Sequence, residues 1–520
     1  MEGAGTKQDP YLVATAEDLM AVEKDPLAYY RQVKDIDLAY YPNWRPLCDG
    51  SMEYITGTGW VYKDYPFFGL YDGDDYSIKN LSINRVDYGG SGLFSQLAGG
   101  AVLKNIRLVD CRLRVIWESG CLVGALTPWD YEPGRPERIV VENCSVTGAE
   151  INIEERESYI GGIIGFAGNG WYPIDLVDLS FEGSIFGDYE TSFIGGIAGY
   201  ISPYEYEPYY GPITVDNCHV KADIIAGEDG RYIGGIVGYT DSDSDEHEII
   251  KDCSFRGKLV GDESVGGIIG FGGRFIENCH STGEIITKTG NAGGIMGESG
   301  YSYSHLKNCY SRCKIQVSEQ KSIYYGAGGL VGSQWYGSIS NCYAAGPVEA
   351  DLSAGSGGLV GYLDEDTTVK SCYYDREVSG QSDSGKGEPK STTEMKKRGT
   401  YEGWDFESLW VIEPPHNAGY PFFYGYGDGF DLYLAPNEFY FIEPPAVESY
   451  PPQATSVTVK SPTAEYTAEL ENVSVDMKKE KYYEIDSGNY EVCRQIATEM
   501  LEYLSVERKA INGKTRINQG

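Results

Sequence analysis

The stretch GGIIG at residues 161–165 recurs along the chain and decides the fold. Later copies of this Gly-Gly-apolar-apolar-Gly string are GGIAG (195–199), GGIVG (234–238), GGIIG (266–270), GGIMG (293–297), GGLVG (328–332) and GGLVG (357–361). GCLVG (120–124) is a degenerate copy and GLFS (92–95) a more distant one, and copies from residue 120 onward lie 27 to 41 residues apart. A motif repeated at such intervals indicates a repeat protein, in which stacked units bury a continuous core.

A second string, a polar residue followed by cysteine, keeps the same phase. Its copies are Asp110-Cys111, Asn143-Cys144, Asn217-Cys218, Asp252-Cys253, Asn278-Cys279, Asn308-Cys309, Asn341-Cys342 and Ser371-Cys372. At Asp178-Leu179 a leucine replaces the cysteine, which indicates that the position requires an apolar side chain rather than a thiol. We therefore predict an inward-facing ladder of reduced cysteines, since free cysteine behaves as a small hydrophobe. Disulfides and a metal site stay open as alternatives, although no C-x-x-C pair occurs.

Each unit also contains a short stretch in which apolar and polar residues alternate, such as CSVTGAEI (144–151) and CSFRGKLV (253–260). This alternation is the period of a β-strand. Stacked parallel strands lie about 4.8 Å apart, so about nine rungs would form a rod on the order of 45 Å long. The sequence thus predicts an all-β fold, a parallel β-helix or β-solenoid, with its body between residues 91 and 375.

The pattern resembles the GLUG-motif family of parallel β-helical surface proteins. The resemblance rests on the seven Gly-Gly strings and their phased cysteines, and it extends over about residues 1–425. It implies a right-handed β-helix, an amino-terminal cap over 1–90 (DPYLVATAEDL, DIDL, FFGLYDGDDYSIKNLSI) and a carboxyl-terminal cap over 376–426 (YEGWDFESLWVI, GYPFF). Such repeats occur in adhesins, in phage proteins and in non-catalytic regions of metallopeptidases that resemble IgA proteases.

Two segments follow the caps. Residues 427–475 are rich in proline and are interpreted as a linker or a small β segment. Residues 476–520 are predicted to contain a helix between a possible N-cap at Asn489 and a stop at Asn512-Gly513. Its apolar stripe consists of Cys493, Ile496, Ala497, Met500, Leu501 and Leu504. This apolar face must be buried, either against residues 430–475 or against an assembly to which the helix docks.

The net charge of −36 argues against nucleic acid and anionic membrane surfaces as partners. The amino terminus, MEGAGTKQDP, lacks the features of a secretory signal, and the carboxyl end, KTRINQG, lacks a hydrophobic tail. These features favour a virion component over an anchored surface protein.

Motifs for chemistry are absent from the sequence. His247-Glu248 is followed by Ile-Ile-Lys, so there is no H-E-x-x-H zinc motif, and neither G-x-S-x-G nor a P-loop occurs. His219 and His280 follow ladder cysteines and are expected to face outward in exposed structural roles. We expect no catalytic residues, no metal site and no enzyme activity.

Acidic loops leave one cofactor question open. Asp241, Asp243, Asp245 and Glu246 form one cluster and Asp364, Glu365 and Asp366 another, and YDGDDY (71–76) resembles a calcium loop. None has the spacing of an EF-hand, so solvated loops are the simpler interpretation. No cofactor is predicted, with calcium left open.

The inserts between each Gly-Gly string and the next polar-Cys string are repeatedly aromatic. Because they share one phase, we expect them on one side of the rod, which in repeat proteins is often the binding face. The candidate binding residues are Trp129, Tyr131, Trp171, Tyr172, Tyr204, Tyr206, Tyr209, Tyr210, Tyr301, Tyr303, Trp335 and Tyr336. They either bind a partner or merely cover the rod.

The sequence therefore predicts a non-enzymatic structural and binding protein, foremost a phage tail or capsid-attached component on the virion. A bacterial cell-surface adhesin and a β-helical polysaccharide-degrading enzyme are the alternatives. The expected partners are a host glycan or surface receptor, or a neighbouring structural protein, at the virion or an extracellular surface.

Overall fold

The computed structural model describes most of residues 1–423 and a short segment near residue 460. The residues outside the description are 56–58, 64, 87–89, 127–137, 155–157, 170–172, 188–190, 204–211, 228, 242–247, 301–302, 320–323, 351–354, 415, 424–455, 462–463 and 470–520. The predicted terminal helix therefore lies outside the described residues.

Successive rungs contribute strands to long parallel sheets, which confirms the predicted parallel β-solenoid. The first sheet contains Tyr11–Val13, Tyr29–Gln32, Leu70–Asp72, Val102–Lys104, Ile139–Glu142, Ile174–Val177, Ile213–Asp216, Glu248–Lys251, Phe275–Glu277, Ser304–Lys307, Gly337–Ser340 and Thr367–Lys370. The second sheet follows it along each rung and contains Ile36–Asp37, Ser77–Lys79, Ser82–Arg85, Arg107–Val109, Arg112–Val115, Ser145–Ile153, Ser180–Gly187, His219–Ile225, Ser254–Gly261, His280–Thr287, Tyr310–Ser311, Lys314–Val317, Tyr343–Ala344, Val348–Ala350, Tyr373–Asp375 and Glu388–Lys390.

Each rung turns at its Gly-Gly string, which we call the Gly-Gly corner, and two further sheets lie on either side of it. The third sheet leads into the corner with Ile160–Gly161, Ser192–Gly195, Arg231–Gly234, Glu263–Gly266, Ala292–Gly293, Ala327–Gly328 and Ser356–Gly357. The fourth sheet leaves it with Phe94–Leu97, Val123–Leu126, Ile164–Asn169, Ala198–Pro203, Val237–Thr240, Ile269–Phe271, Met296–Glu298, Val331–Gln334 and Val360–Leu363. Each insert then connects the fourth sheet to the first sheet of the next rung.

The glycines of the corner are required by close backbone approach. A Cβ atom on Gly234 would lie 1.7 Å from the carbonyl oxygen of Val237. A Cβ atom on Gly235 would lie 2.1 Å from the oxygen of Gly267 in the next rung and 2.3 Å from the Phe255 ring. Neither contact leaves room for a side chain, so both positions require glycine in this rung.

The polar residue before each ladder position adopts a left-handed backbone conformation. Its φ lies between 48° and 57° at Asn105, Asn143, Asp178, Asn217, Asp252, Asn278, Asn308, Asn341 and Ser371. Asn and Asp tolerate this conformation better than other residues with side chains. The side chains also bond from rung to rung: the Nδ2 of Asn143 donates to Asn105 Oδ1 at 2.7 Å, and that of Asn278 donates to Asp252 Oδ1 at 2.9 Å. This explains the polar half of the polar-Cys string.

The cysteines that follow form the predicted inward-facing column. Strand register aligns Cys144, Leu179, Cys218, Cys253, Cys279, Cys309, Cys342 and Cys372, and all are buried. All cysteines in the described part of the chain are free thiols. Burial raises the pKa of the Cys144 thiol to about 12, so it stays protonated at neutral pH.

One assignment to this column was wrong. Register places Ile106, not Cys111, beside Cys144, and it places Cys111 beside Ala149. The cause is that this rung has two left-handed corners, at Asn105 and Asp110, each followed by a buried residue. The string Asp110-Cys111 belongs to the second corner.

The thiols also explain why cysteine is preferred over leucine. The Sγ atom of Cys253 donates to the carbonyl oxygen of Lys251 at 3.0 Å, and that of Cys279 donates to Glu277 at 3.2 Å. The same contact two residues back recurs at Cys144, Cys218, Cys309, Cys342 and Cys372. A thiol is a weak donor, so it fills the apolar column while it contacts a carbonyl group next to the corner.

The solenoid incorporates residues on both sides of its predicted body. Strands between residues 11 and 85 join the first and second sheets, so the segment 1–90 continues the same stack. At the other end, Glu388–Lys390 pairs with Tyr373–Asp375. Lys386 Nζ donates to the carbonyl oxygens of Ser356 at 3.1 Å and Gly361 at 2.6 Å, so this segment satisfies the edge of the last rung.

The chain divides into two compact units, Met1–Met395 and Lys396–Gly520, so only part of the segment 376–426 belongs with the solenoid. The second unit contains the antiparallel pair Trp410–Val411 and Phe422–Phe423, and the Trp404 and Trp410 rings contact each other at a tilt, with centroids 4.5 Å apart. Ser456–Ser461 pairs with Ala464–Glu469, as a small β segment would.

The described helices are Ala16–Met20, Arg376–Ser379 and Thr392–Met395, with 3-10 turns at Ala21–Lys24, Arg398–Thr400 and His416–Gly419. None of these is long and apolar enough to cross a membrane.

A buried acid interrupts one inner column of the first sheet. Register places Glu248 after Ile139, Ile174 and Ile213, and Glu248 is fully buried. Burial raises the pKa of its carboxyl group to about 7, and the nearby Thr240 and Arg274 oppose this shift.

Thiol counting on denatured, unreduced protein is expected to find most of the twelve cysteines free. Cys253→Ala should lower the free energy of unfolding by about 1 kcal/mol, as for the loss of a small buried group. Fewer than four free thiols would contradict the ladder.

Glu248→Gln should remove a pH dependence of stability. Because the folded-state pKa is raised, the folded protein holds a proton that the unfolded chain releases, so stability falls as pH rises from about 4.5 to about 7. The difference amounts to at most about 3 kcal/mol. Urea unfolding between pH 4 and 8 measures it, and an unchanged pH slope in the variant would contradict the assignment.

Candidate binding surface

Three of the predicted aromatic binding residues lie in the described part of the chain. Tyr303 is 54% exposed, and its ring lies 5.8 Å from that of Tyr336. The two inserts pack directly on one another: the backbone N–H of Trp335 donates to Ser299 Oγ at 2.9 Å, and that of Ser304 donates to the Tyr336 carbonyl at 3.1 Å. These two inserts therefore share one corner of the rod. The other nine candidates lie outside the described residues: Trp129, Tyr131, Trp171, Tyr172, Tyr204, Tyr206, Tyr209, Tyr210 and Tyr301.

At the base of the inserts runs a continuous surface of seven half-buried rings, which we call the aromatic track. The rings form two columns. Each ring of the first column directly follows the last glycine of a motif, in the fourth sheet. Each ring of the second column lies two residues before a Gly-Gly pair, at the third sheet. Neighbouring ring centroids lie 4.8 to 5.6 Å apart. The track consists of Phe166, Tyr200, Tyr239 and Phe271 in the first column and Tyr159, Phe193 and Tyr232 in the second.

Sequence reasoning missed the track, although a signal was present. The strings GGIIGF, GGIAGY, GGIVGY and GGIIGF each end in an aromatic residue at one fixed position. The search for aromatics began after this position, in the variable inserts.

Two rings of the track are held in a costly backbone conformation. Phe193 has a φ of 61° and Tyr232 a φ of 59°. A left-handed conformation at a residue with a bulky side chain costs about 1–2 kcal/mol. Such strain is concentrated at functional sites, so its presence at two stacked rings is consistent with a role for this surface.

Toward the carboxyl end, polar side chains take the places of the rings. Register continues the first column from Phe271 through Glu298 and Ser333 to Tyr362. The insert residue Trp335 packs beside these positions, with its ring 5.0 Å from Tyr362 and 5.5 Å from the 47% exposed Tyr324. An insert ring thus extends the track where its own columns lack rings.

Glu298 fixes the position of Trp335. Its Oε1 accepts a hydrogen bond from Trp335 Nε1 at 3.1 Å, and its Oε2 accepts from Asn291 Nδ2 at 2.7 Å and Ser264 Oγ at 3.0 Å. Burial raises the pKa of the Glu298 carboxyl, against the effect of these donors. The network pre-orients an aromatic ring on the surface.

Glu298→Ala should lower the free energy of unfolding by about 1–3 kcal/mol, because it leaves buried donors without an acceptor. If Glu298 acts through Trp335, the double variant with Trp335→Phe should lose less free energy of unfolding than the two single variants lose together. The difference should be at least about 0.5 kcal/mol. Urea denaturation of the four proteins measures this coupling, and strict additivity would count against it.

The two histidines of the second sheet are less exposed than expected. His219 is half-buried, with Nδ1 2.8 Å from Ser254 Oγ and Nε2 2.9 Å from Asn217 Oδ1, and burial lowers its pKa. The ring of His280 stacks on Tyr310 at 4.8 Å, and burial lowers its pKa to about 3. Both are packed, neutral rings rather than surface groups.

The acidic turn at 71–76 is engaged by protein donors. Asp72 Oδ1 accepts from Asn105 Nδ2 at 2.8 Å and from the Asp74 N–H at 3.0 Å, and Lys104 Nζ lies 3.2 Å from Oδ2. Within the described ranges, no three His, Cys, Asp or Glu side chains are grouped as metal ligands. The chemistry that the described surface offers is ring stacking and hydrogen bonding.

Comparison with known proteins supports the repeat assignment. The model of the GLUG motif matches residues 323–348, which include the GGLVG copy at 328–332 and Cys342. The chain is 30% identical over 462 residues to a "Putative Gly-rich membrane protein" of Evansella cellulosilytica, covering 80% of this chain and 45% of that protein. It is also 30% identical over 167 residues to "Halomucin" of Haloquadratum walsbyi, covering 31% of this chain and 2% of that protein. The chain thus spans less than half the length of either relative.

Among solved structures, a "putative immunoglobulin A1 protease" from Bacteroides ovatus aligns with 81% of this chain and 94% of its own, at 21% identity and a TM-score of 0.36. So loose an alignment carries no argument about function. The predicted resemblance is confirmed by the motif match and the repeats: the chain contains a GLUG motif and has a parallel β-solenoid fold.

Proposed function

We propose that this chain is a surface-associated structural protein that binds a polysaccharide along the aromatic track. The surface location is supported by the names of the relatives, a membrane protein and a halomucin. These comparisons do not support the virion component favoured by the sequence, so the cell-surface adhesin becomes the preferred interpretation.

The observation that carries the proposal is the spacing of the track. Within each column, the rings of successive rungs lie 4.9 to 5.4 Å apart along the rod. A sugar ring in an extended chain advances by a similar distance. Because neighbouring rings such as Tyr239 and Phe271 stack face to face, successive sugars can pack against the edges of successive rings. Aromatic side chains offer flat contact area at low entropic cost.

The proposal includes no catalysis. Its support is the absence of H-E-x-x-H and G-x-S-x-G from the sequence and the lowered basicity of His219 and His280. A neighbouring structural protein is the competing occupant of the same surface, and the binding experiment separates the two.

Tyr239→Ala and Trp335→Ala should each weaken binding to an insoluble polysaccharide at least about fivefold, since an aromatic anchor contributes more than 1 kcal/mol. The matched control is Phe275→Ala, because Phe275 is a half-buried ring stacked on His305 in the first sheet, whereas the track lies on the third and fourth sheets. Sedimentation with a panel of polysaccharides measures binding, and thermal unfolding confirms that the variants fold.

Binding that survives both track variants would show that the rings only cover the rod. Release of soluble sugar by the parent protein, abolished by one carboxylate substitution, would instead establish the polysaccharide-degrading enzyme. Failure to bind any polysaccharide would favour a protein partner.

A further inference from the structure

Carboxylates stand beside tyrosine side chains at two places along this side of the rod. The hydroxyl of Tyr200 donates to Asp241 Oδ2 at 3.3 Å, and Asp241 is exposed. The second place is the rung of Tyr362, beyond the track, where the backbone N–H of Asp364 donates to the carbonyl oxygen of Gln334, next to Trp335, at 2.9 Å. Asp364 and Glu365 also raise the pKa of the Tyr362 phenol, in addition to the larger effect of burial. Both places therefore set a carboxylate next to an aromatic side chain.

A third carboxylate lies between them but is already partnered. Glu263 Oε1 accepts from the Tyr325 hydroxyl at 2.8 Å, and its Oε2 lies 3.5 Å from Arg231 Nε. Glu263 thus faces a cation, whereas Asp241 accepts from a tyrosine hydroxyl and Asp364 Oδ1 accepts from the Asp366 N–H at 3.1 Å. Asp241 and Asp364 are therefore better placed than Glu263 to meet a cationic ligand. The chain as a whole carries a net charge of −36, which adds long-range repulsion of any polyanion.

We propose that the ligand of the track is a polysaccharide whose sugars carry free amino groups. This rests on the proposed function and specifies its substrate class. The sugars pack against the edges of the rings, and the ammonium groups pair with Asp241 beside Tyr200 and with Asp364 near Tyr362. Uronate or sulfate polymers are repelled from the same surface.

The test compares chitin oligosaccharides with their fully deacetylated counterparts of the same length, and with an oligogalacturonate. Binding is measured by calorimetry at low and high salt. The deacetylated oligomer should bind most tightly, and its advantage should shrink with salt because exposed charge pairs are screened. The oligogalacturonate should show no binding.

The double variant Asp241→Asn with Asp364→Asn should reduce the affinity for the deacetylated oligomer roughly five- to tenfold, as expected for two exposed ion pairs. Its affinity for the acetylated oligomer should be unchanged. The matched control, Glu150→Gln with Asp223→Asn, changes the net charge equally at exposed positions on the second sheet and should leave both affinities unchanged.

The outcomes separate the two proposals. Equal binding of acetylated and deacetylated oligomers, lost in Tyr239→Ala, would overturn the amino-sugar inference and leave polysaccharide binding intact. If the double variant and its control lose the same affinity for the deacetylated oligomer, the effect is one of net charge alone, and the inference is overturned. Absence of binding to every oligomer would overturn both.

Discussion

The close approach of backbones at the Gly-Gly corner is the constraint on which the other features depend. A side chain at Gly234 or Gly235 would overlap carbonyl oxygens of its own rung or the next. This fixes the position of each rung relative to its neighbour and keeps the strands on both sides in register. The inner columns of isoleucine and cysteine, the bonded Asn and Asp corners and the aromatic track all follow from that register, because equivalent residues are placed directly above one another.

Much of the fold could be predicted because it is encoded in repeated positions. The leucine at 179 showed correctly that the cysteine column is apolar, and the column is buried as expected. Cys111 was misplaced because two corners with the same local sequence occur in one rung, and only strand register distinguishes them. The burial of Glu248 could not be predicted, since it follows from register with Ile213 of the preceding rung and from contacts with Thr240 and Arg274, which lie outside its own strand.

The candidate site was predictable only in part. Trp335 and Tyr336 were selected for their place in an insert, but the stacked rings from Tyr159 to Phe271 belong to the rungs themselves. Their importance appears only when register brings together residues more than thirty positions apart, such as Phe166 and Tyr200. The carboxylate that holds Trp335 was also out of reach, since Glu298 occupies the position that an aromatic residue holds in five other rungs.

The thiol column has a consequence for where such a rod can fold. A small extracellular protein that relies on disulfides needs an oxidising compartment to reach its stable form. Here the cysteines of the described rungs stabilise the core as protonated side chains, and the covalent chain is the same in reducing and oxidising surroundings. The described rungs therefore contain no cross-link that must form before the stack is stable or that a reducing environment would break.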